Sequence, residues 1–341
     1  MADLRAGGVL VLLAGIVNAC FALPMKGMPR WAWENVWLIW SVFALMTLPA
    51  LAAFATTPGL AAGYGEVDRA TLLRVMVFGA AWGVAQVLFG LSVVRIGMAL
   101  TFSLILGISA AVGTVVPFVW LHPELLLTTT GAFVWGGVVL VMLGMTLCAM
   151  AGRQRERELS PDKPEVDRPR TGSFKIGLLI AVVAGLCAAF MNLGISFAGP
   201  LLAMAARHGS RPYWQLNAVW LPLLVGGALP NVAYSIFLLR QRHTAGNFAR
   251  GGTGVYWLLC LVMALCWFGS SLMYGAASFY LGVLGPVVGW PVFMSLVVIA
   301  ASFLGWLTGE WRTATSRPLR LQVSGIAMLT VALFLFSRTG S

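Results

Sequence analysis

Long runs of apolar residues alternate along this chain with short polar connections. Within each run the apolar residues are continuous rather than spaced two apart, which favours helices over strands. A window of about 19 residues, enough to cross a bilayer as a helix, locates ten such runs. They cover residues 7–23, 36–54, 75–94, 98–120, 131–151, 174–197, 216–239, 255–280, 283–307 and 321–336. The pattern predicts an all-α membrane protein with ten transmembrane helices.

Composition agrees with a membrane-embedded protein. Of the 341 residues 60% are hydrophobic and 10% are charged, against roughly 45–50% and 25% in soluble domains. A net charge of +11 would suggest nucleic-acid binding in a soluble protein, but here the basic residues lie in the loops and form no patch interleaved with aromatic residues. We therefore expect the lipid bilayer, and no nucleic acid, as a partner.

The connection between the fifth and sixth runs, residues 152–173, is densely charged and contains several prolines. We interpret it as a solvated cytoplasmic linker between a first half, 1–151, and a second half, 174–341. Most Lys and Arg residues lie in this linker and in the loops after the first, third, seventh and ninth runs. The positive-inside rule places these loops in the cytoplasm and both termini outside.

The two halves show weak internal similarity. One ungapped shift of the sequence aligns Trp82 with Trp267 and Gly90 with Gly275. Because each half has an odd number of runs, equivalent helices would cross the membrane in opposite directions. This predicts two inverted five-helix repeats, an architecture that lets a transporter alternate access about a central site. Chance matches among the 39 glycines are the alternative explanation.

Polar residues inside the runs are the candidate substrate contacts, because polar groups that face lipid are costly. Aromatic faces beside amides and hydroxyls suit a sugar, whose C–H face stacks on a ring while its hydroxyls take directional hydrogen bonds. For each amide, the alternative is an interhelical hydrogen bond that holds the helices together. The residues that we predict to bind substrate are Asn18, Trp82, Gln86, Asn192, Asn231, Trp267, Ser271 and Tyr274.

Two local patterns give further expectations. Gly285-Pro286 and Trp290-Pro291 predict that the ninth run forms a broken helix. Tryptophans crowd the start of the second run, and we interpret them as an aromatic belt at the membrane interface. They are Trp31, Trp33, Trp37 and Trp40.

Proton coupling normally uses an ionisable group within the membrane, yet no acidic residue lies in the middle of a run. The candidates for proton coupling are Glu34 and Glu310, at the edges of the second and ninth runs. Each could instead pair with a nearby cation, Lys26, Arg30 or Arg312.

No other chemistry is indicated. The three histidines lie in loops without metal-ligand or catalytic-triad spacing, and the five cysteines lie inside apolar runs as packing residues. The sequence has no hydrolase, metalloprotease or phosphate-loop motif. We expect neither an enzyme, a metal nor a cofactor.

The segment Trp31-Ala32-Trp33-Glu34-Asn35-Val36-Trp37, with Ala14-Gly15 and Ala19-Cys20-Phe21 before it, resembles the start of the bacterial L-rhamnose–proton symporters of the drug/metabolite transporter superfamily. Further blocks agree in order. They run from Phe78-Gly79-Ala80-Ala81-Trp82-Gly83 to Gly309-Glu310-Trp311 and Arg317-Pro318. The resemblance covers nearly the whole chain.

The resemblance implies two inverted five-helix repeats, inward transport of a deoxysugar with protons, a multi-pass protein of the bacterial cytoplasmic (inner) membrane, and periplasmic termini. Residues 289–295 are more apolar than the family pattern, and the linker is unusually charged. A drug or metabolite exporter or an uncoupled sugar facilitator of the same superfamily would look similar. Glycines in the fifth run, Gly131, Gly136, Gly137 and Gly144, allow close helix packing or a homodimer.

Overall fold

A computed structural model describes residues 3–159, 171–282, 284–312 and 314–340. These residues form helices and connections and contain no strand. Ten helices are long and apolar enough to cross a membrane, one for each predicted run. The prediction of an all-α protein with ten candidate membrane-spanning helices is confirmed. Half of the predicted linker, residues 160–170, lies outside the described residues.

The described part of the chain contains these ten long helices and two short ones. They are α1 (Leu4–Ala19), α2 (Trp33–Thr56), α3 (Leu60–Glu66), α4 (Arg69–Ile96), α5 (Met98–Leu121), α6 (Thr129–Leu159), α7 (Thr171–Ser196), α8 (Gly199–Arg207), α9 (Asn217–Gln241), α10 (Gly254–Tyr280), α11 (Gly285–Leu307) and α12 (Ser316–Ser337). The short helices α3 and α8 escaped the hydropathy pattern because they are less than half the length of a membrane span.

The helices form two compact units. The first contains Met1–Val84 and Leu193–Gly285, and the second contains Ala85–Asn192 and Pro286–Ser341. Each unit therefore combines helices from both halves of the sequence. The predicted five-helix repeats are related by symmetry, whereas these units are groups of helices in contact. The units therefore do not test the repeats, which stay a prediction.

In the first unit, α4 and α9 cross with their backbones in contact. A side chain at Gly79 would strike the carbonyl of Leu223, and one at Gly83 would strike the carbonyl of Gly227. From the other side, a Cβ on Gly227 would lie 2.8 Å from the ring of Trp82. Glycine at the crossing brings the two helices close enough for Trp82 to pack directly on α9.

In the second unit, the glycines of α6 face α12. A Cβ on Gly137 would lie 2.6 Å from the ring of Phe336, and one on Gly144 would lie 2.9 Å from Leu329. A Cβ on Gly325 of α12 would likewise lie 2.6 Å from the sulfur of Cys148 in α6. Packing inside the protein therefore accounts for these two glycines of the fifth run.

The expectation of a broken ninth helix is wrong, because α11 continues from Gly285 to Leu307. Pro286 lies in its first turn, where a backbone N–H would have no intrahelical partner in any case. Pro291 is accommodated inside the helix. Irregularity is found in α2 instead, where a π-helical turn spans Phe43–Thr47 just ahead of Pro49.

Candidate substrate site

Tryptophan rings from three helices form a continuous aromatic surface inside the first unit. The ring centroids of Trp82 and Trp267 are 5.5 Å apart, with planes inclined by 30°. Trp267 meets Trp40 edge-on at 5.4 Å, and Trp40 lies 4.5 Å from Trp37. Neither the Trp82 nor the Trp267 indole N–H has a hydrogen-bond partner among the described residues. The surface thus combines apolar ring faces with two uncommitted donors.

Two of the four tryptophans that we interpreted as an interfacial belt, Trp31 and Trp40, are buried inside the protein. Trp40 is 1% exposed and Trp31 is 6% exposed. The indole N–H of Trp31 donates to the carbonyl of Asn247 at 3.1 Å, and that of Trp37 donates to the side-chain oxygen of Asn231 at 2.9 Å. The sequence did not indicate these contacts because the partners lie about two hundred residues away along the chain.

A short chain of hydrogen bonds links α1 to Trp267. The amide of Asn18 donates to the hydroxyl of Ser270 at 2.8 Å, and that hydroxyl donates to the carbonyl of Trp267 at 2.6 Å. The hydroxyl of Ser271 donates to the same carbonyl at 3.2 Å. The side-chain oxygen of Asn18 receives no hydrogen bond from the described residues. Asn18 therefore links α1 to α10 through its N–H, and its oxygen has no donor among the described residues.

Asn231 uses its amide to hold the helices around Trp82 together. Its oxygen accepts from Trp37, and its N–H groups donate to the carbonyls of Gly227 at 2.8 Å and of Gly83 at 3.4 Å. The side chain is 1% exposed. These contacts agree with the structural alternative for a buried amide.

Asn192, in the second unit, donates a hydrogen bond to a backbone carbonyl of α5 that has no helical partner. Pro117 has no N–H, so the carbonyl of Gly113, four residues earlier, loses its helical partner. The Asn192 amide donates to that carbonyl at 2.7 Å and to the carbonyl of Pro286 at 3.0 Å. Asn192 is fully buried. The Asn192 amide therefore replaces the backbone hydrogen bond that Pro117 cannot make. A carbonyl without a donor is costly where no water can reach it.

The same device recurs in the first unit. Pro222 of α9 leaves the carbonyl of Ala218 without its helical donor. The hydroxyl of Tyr64, in α3, donates to that carbonyl at 2.7 Å. Sequence reasoning missed Tyr64, although a proline inside an apolar run signals that some donor must come from elsewhere.

The remaining predicted residues differ in their surroundings. Tyr274 is 1% exposed and lies 6.5 Å from the ring of Trp220. Gln86, in the second unit, is half-buried and has no hydrogen-bond partner among the described residues. Among the amides of the predicted set, Gln86 is the one whose side chain has no hydrogen-bond partner in the part of the chain that the structure describes.

Residues 2–337 match the family described as L-rhamnose-proton symport protein. The chain belongs to this family. It is 26% identical over 328 residues to proteins named L-rhamnose-proton symporter from Salmonella paratyphi A, Salmonella newport and Salmonella enteritidis, and each alignment covers 94% of both chains. The family is one of transporters and not of enzymes.

For a symporter family the acidic residues gain importance, and Glu34 is fully buried. One of its oxygens accepts from the hydroxyl of Thr244 at 2.7 Å, and the other lies 3.2 Å from the guanidinium of Arg242. The carboxylate also sits in the first turn of α2, where the helix dipole favours negative charge. The expected partners Lys26 and Arg30 are replaced by Arg242, from the far end of α9.

Glu310 lies in the second unit and is half-exposed. Its partner is Arg155 of α6, at 3.3 Å, and the Arg155 guanidinium lies 5.0 Å above the ring of Trp311. The expected partner Arg312 is again replaced by a residue distant in sequence. A cavity of about 230 Å³ opens beside this pair and is lined in part by Ser302 and Gln322.

The five cysteines are free thiols. Within the described ranges no group of His, Cys, Asp and Glu side chains is arranged to hold a metal ion. Sequence reasoning placed His208 in a loop and gave it no role. It missed the contact of His208 with Glu66, whose nitrogen and oxygen lie 3.0 Å apart.

Proposed function

We propose that this chain imports L-rhamnose or a related deoxysugar together with protons by alternating access. Membership in the L-rhamnose-proton symport protein family over residues 2–337 supports sugar–proton symport. The observation that carries the choice of a sugar is the pair Trp82 and Trp267, with adjacent ring faces and uncommitted N–H groups. We propose the sugar and protons as its cargoes.

A deoxysugar presents both kinds of surface that this pair can bind. Its ring C–H groups and methyl group are apolar and pack on indole faces, while its hydroxyls accept from indole N–H groups. The side-chain oxygen of Asn18 adds an acceptor, because the N–H group of the same amide already donates to the hydroxyl of Ser270. Ser271 and Tyr274 continue the same helix beyond Trp267, and we keep them as proposed contacts.

The pairing of Trp82 with Trp267 also supports inverted repeats. Residues related by a two-fold axis touch one another only where they lie close to that axis. The shift that aligns the halves places Trp82 on Trp267, and their rings are in contact. One turn further along each helix, the same shift places Gln86 on Ser271. We propose Gln86 and Ser271 each as a substrate contact.

The amides of Asn192 and Asn231 complete the proposed set. Because their N–H groups bond to backbone carbonyls, we propose that they shape the site and offer substrate little donor capacity. We further propose that the protein resides in the bacterial inner membrane with periplasmic termini and a cytoplasmic linker, and that it belongs to the drug/metabolite transporter superfamily. A homodimer stays a prediction, since three of the four glycines in question, Gly136, Gly137 and Gly144, face side chains of α12.

The test uses purified protein in weakly buffered vesicles. L-Rhamnose and a panel of related sugars are added in turn, while external pH and labelled-sugar uptake are recorded. External alkalinisation that tracks the uptake of one sugar supports symport and names the substrate. Uptake without proton movement indicates a facilitator or another coupling ion, and failure with every sugar favours the exporter.

Variants locate the sites within the same assay. Gln86→Ala should abolish sugar binding while the detergent-solubilised protein stays folded, and full transport would remove Gln86 from the site. We propose Glu34 and Glu310 as proton-coupling residues. Glu34→Gln keeps the hydrogen bond to Thr244 but not the ion pair with Arg242. If this variant retains pH-driven uptake, Glu34 is not a coupling residue, and Glu310→Gln is judged in the same way.

A further inference from the structure

The cavity beside Glu310 in the second unit lies apart from the residues of the proposed aromatic site. Its volume is about 230 Å³, and it is lined by residues of α5, α6, α11 and α12. At about 30 Å³ per molecule it would hold roughly seven waters, so a single bridging water does not fill it. It is smaller than the roughly 300–1,000 Å³ pockets that hold drug-sized ligands. The cavity therefore suits a small molecule with a single ring.

Gln322 of α12 lines this cavity and is 4% exposed. It lies about 9 Å along the helix from Ser316. Its N–H donates to the hydroxyl of Ser302 at 2.6 Å, and that hydroxyl donates its own hydrogen to the carbonyl of Val298 at 2.7 Å. Because the Ser302 hydroxyl can then only accept, the amide nitrogen of Gln322 must face it. The Gln322 oxygen has no donor among the described residues, which is costly at this depth in a membrane-spanning helix.

Trp311 and Arg155 bring donors to the same cavity. The Arg155 guanidinium lies 5.0 Å above the Trp311 ring, and its Nη1 donates to Glu310 at 3.3 Å. The indole N–H of Trp311 and Nη2 of Arg155 have no acceptor in the part of the chain that the structure describes. Gly305 lets the indole approach α11, since a Cβ there would lie 3.1 Å from its nitrogen. Donors therefore accompany the acceptor that Gln322 provides.

The charged groups at this cavity favour a neutral ligand. Among the described residues that line it, Arg155 and Glu310 are the charged ones, and they pair with each other. An anion would compete with Glu310 for the guanidinium, and a cation would compete with Arg155 for the carboxylate. Hydroxyl groups avoid this competition, because each can donate and accept at other groups. Phe102 and Met145 add apolar surface to the wall. A neutral hydroxylated molecule with an apolar face therefore fits best.

We propose that this cavity is a second binding site for the sugar that the chain transports. The sugar hydroxyls donate to the Gln322 oxygen and accept from the indole N–H of Trp311, while its C–H groups pack on Phe102 and Met145. The proposal rests on the proposed function for the identity of the sugar, and it adds a site built by the second unit alone. The connections after α6 and α11 flank this site, and both are predicted to be cytoplasmic. The second site therefore takes sugar from the cytoplasmic side.

The test counts the sugars bound to each chain at equilibrium. Purified full-length protein in detergent is dialysed against increasing concentrations of labelled L-rhamnose and then of the related sugars. We expect two sugars per wild-type chain and one per chain of Gln322→Leu, which removes the acceptor oxygen at similar side-chain size. Ser103→Leu places an apolar side chain in the cavity and breaks no hydrogen bond among the described residues, so it should also bind one. Both variants should keep wild-type sugar uptake, which reports that they are folded.

Two further variants complete the comparison. Thr330→Val is the matched control, because it removes an exposed hydroxyl of α12 that bonds to the carbonyl of Ile326 in its own helix. It should bind two sugars. Gln86→Ala should lose the other sugar, and combining it with Gln322→Leu should leave none. Binding by both Gln322→Leu and Ser103→Leu at the wild-type level would overturn the proposal. So would a wild type that binds no sugar, since the cavity would then hold water only.

The two proposals fail in different ways. If vesicles with wild type take up no sugar and Gln86→Ala binds as much as wild type, the proposed function fails, whereas loss of bound sugar in Gln322→Leu still supports the cavity. If uptake proceeds and Gln86→Ala removes all binding, transport stands and the second site is overturned. If Gln322→Leu loses uptake together with all binding, its fold is damaged, and Ser103→Leu then decides the inference.

Discussion

Asn192 and Pro117 offer a direct test of how a proline is accommodated inside a membrane-spanning helix. Asn192→Ala removes the donor to the carbonyl of Gly113, which Pro117 cannot supply, and the second bond to the carbonyl of Pro286. Pro117→Ala restores a backbone N–H in α5 that can bond to Gly113 itself. Asn192→Ala should therefore be much less harmful when Pro117 is also replaced.

The expected magnitude follows from the two bonds. A buried carbonyl left unpaired costs about 1–3 kcal/mol, and an interhelical hydrogen bond in a membrane protein contributes roughly 0.6 kcal/mol. Asn192→Ala should therefore lower the free energy of unfolding by roughly 2–4 kcal/mol. In the Pro117→Ala background the orphaned carbonyl has a new donor, so the cost should fall by about 1–3 kcal/mol.

The assay is a double-mutant cycle of reversible unfolding in mixed detergent, followed by circular dichroism. Pro291→Ala is the matched control, because it restores an N–H in α11 while both Asn192 N–H groups bond elsewhere. Its effect should add to that of Asn192→Ala. If Asn192→Ala and Pro117→Ala also add to within about 0.5 kcal/mol, Asn192 does not replace the missing backbone donor and the reasoning is refuted.

Three further outcomes are expected. Tyr64→Phe should destabilise the protein by about 1–3 kcal/mol, and Pro222→Ala should remove most of that cost; an equal cost in both backgrounds would contradict the assignment. Trp82→Ala should weaken sugar binding about 3- to 10-fold through lost stacking, measured as an increased Kd in a titration, and an unchanged Kd would exclude the ring as a wall of the site. Hydrogen bonds from the Thr315 hydroxyl and backbone N–H lower the pKa of Glu158, so this contact should hold at neutral pH and be lost on acidification below the ordinary carboxyl range, roughly pH 4. Thr315→Val should raise that pKa in an NMR titration, and no change would show that the hydroxyl is not responsible.

The sequence alone determined the helical architecture. Each membrane span needs about 20 apolar residues whose backbone groups bond within the helix, so composition along the chain is sufficient to locate it. All ten runs correspond to helices, and their ends differ from the helix ends by up to eight residues. The short helices α3 and α8 were missed because this signal depends on length.

The sequence also located Trp82 and Trp267 as a candidate pair through the internal shift, and the structure brings their rings together. It could not decide which buried amides are structural. The sequence predicts Asn192 and Asn231 as substrate contacts, because only the tertiary structure reveals the backbone carbonyls to which they donate. The sequence shows Pro117, but it does not show which helix supplies a donor to the carbonyl of Gly113.

Charged partners were decided by tertiary structure for the same reason. Glu34 and Glu310 have cations nearby in sequence, yet they pair with Arg242 and Arg155. Sequence spacing predicts contacts only within one helix, whereas these pairs form where different helices end at the same level. Local composition fixes whether a segment crosses a membrane, but the partners of its polar groups depend on which helices pack together, and that is set by the fit of side chains across the whole protein.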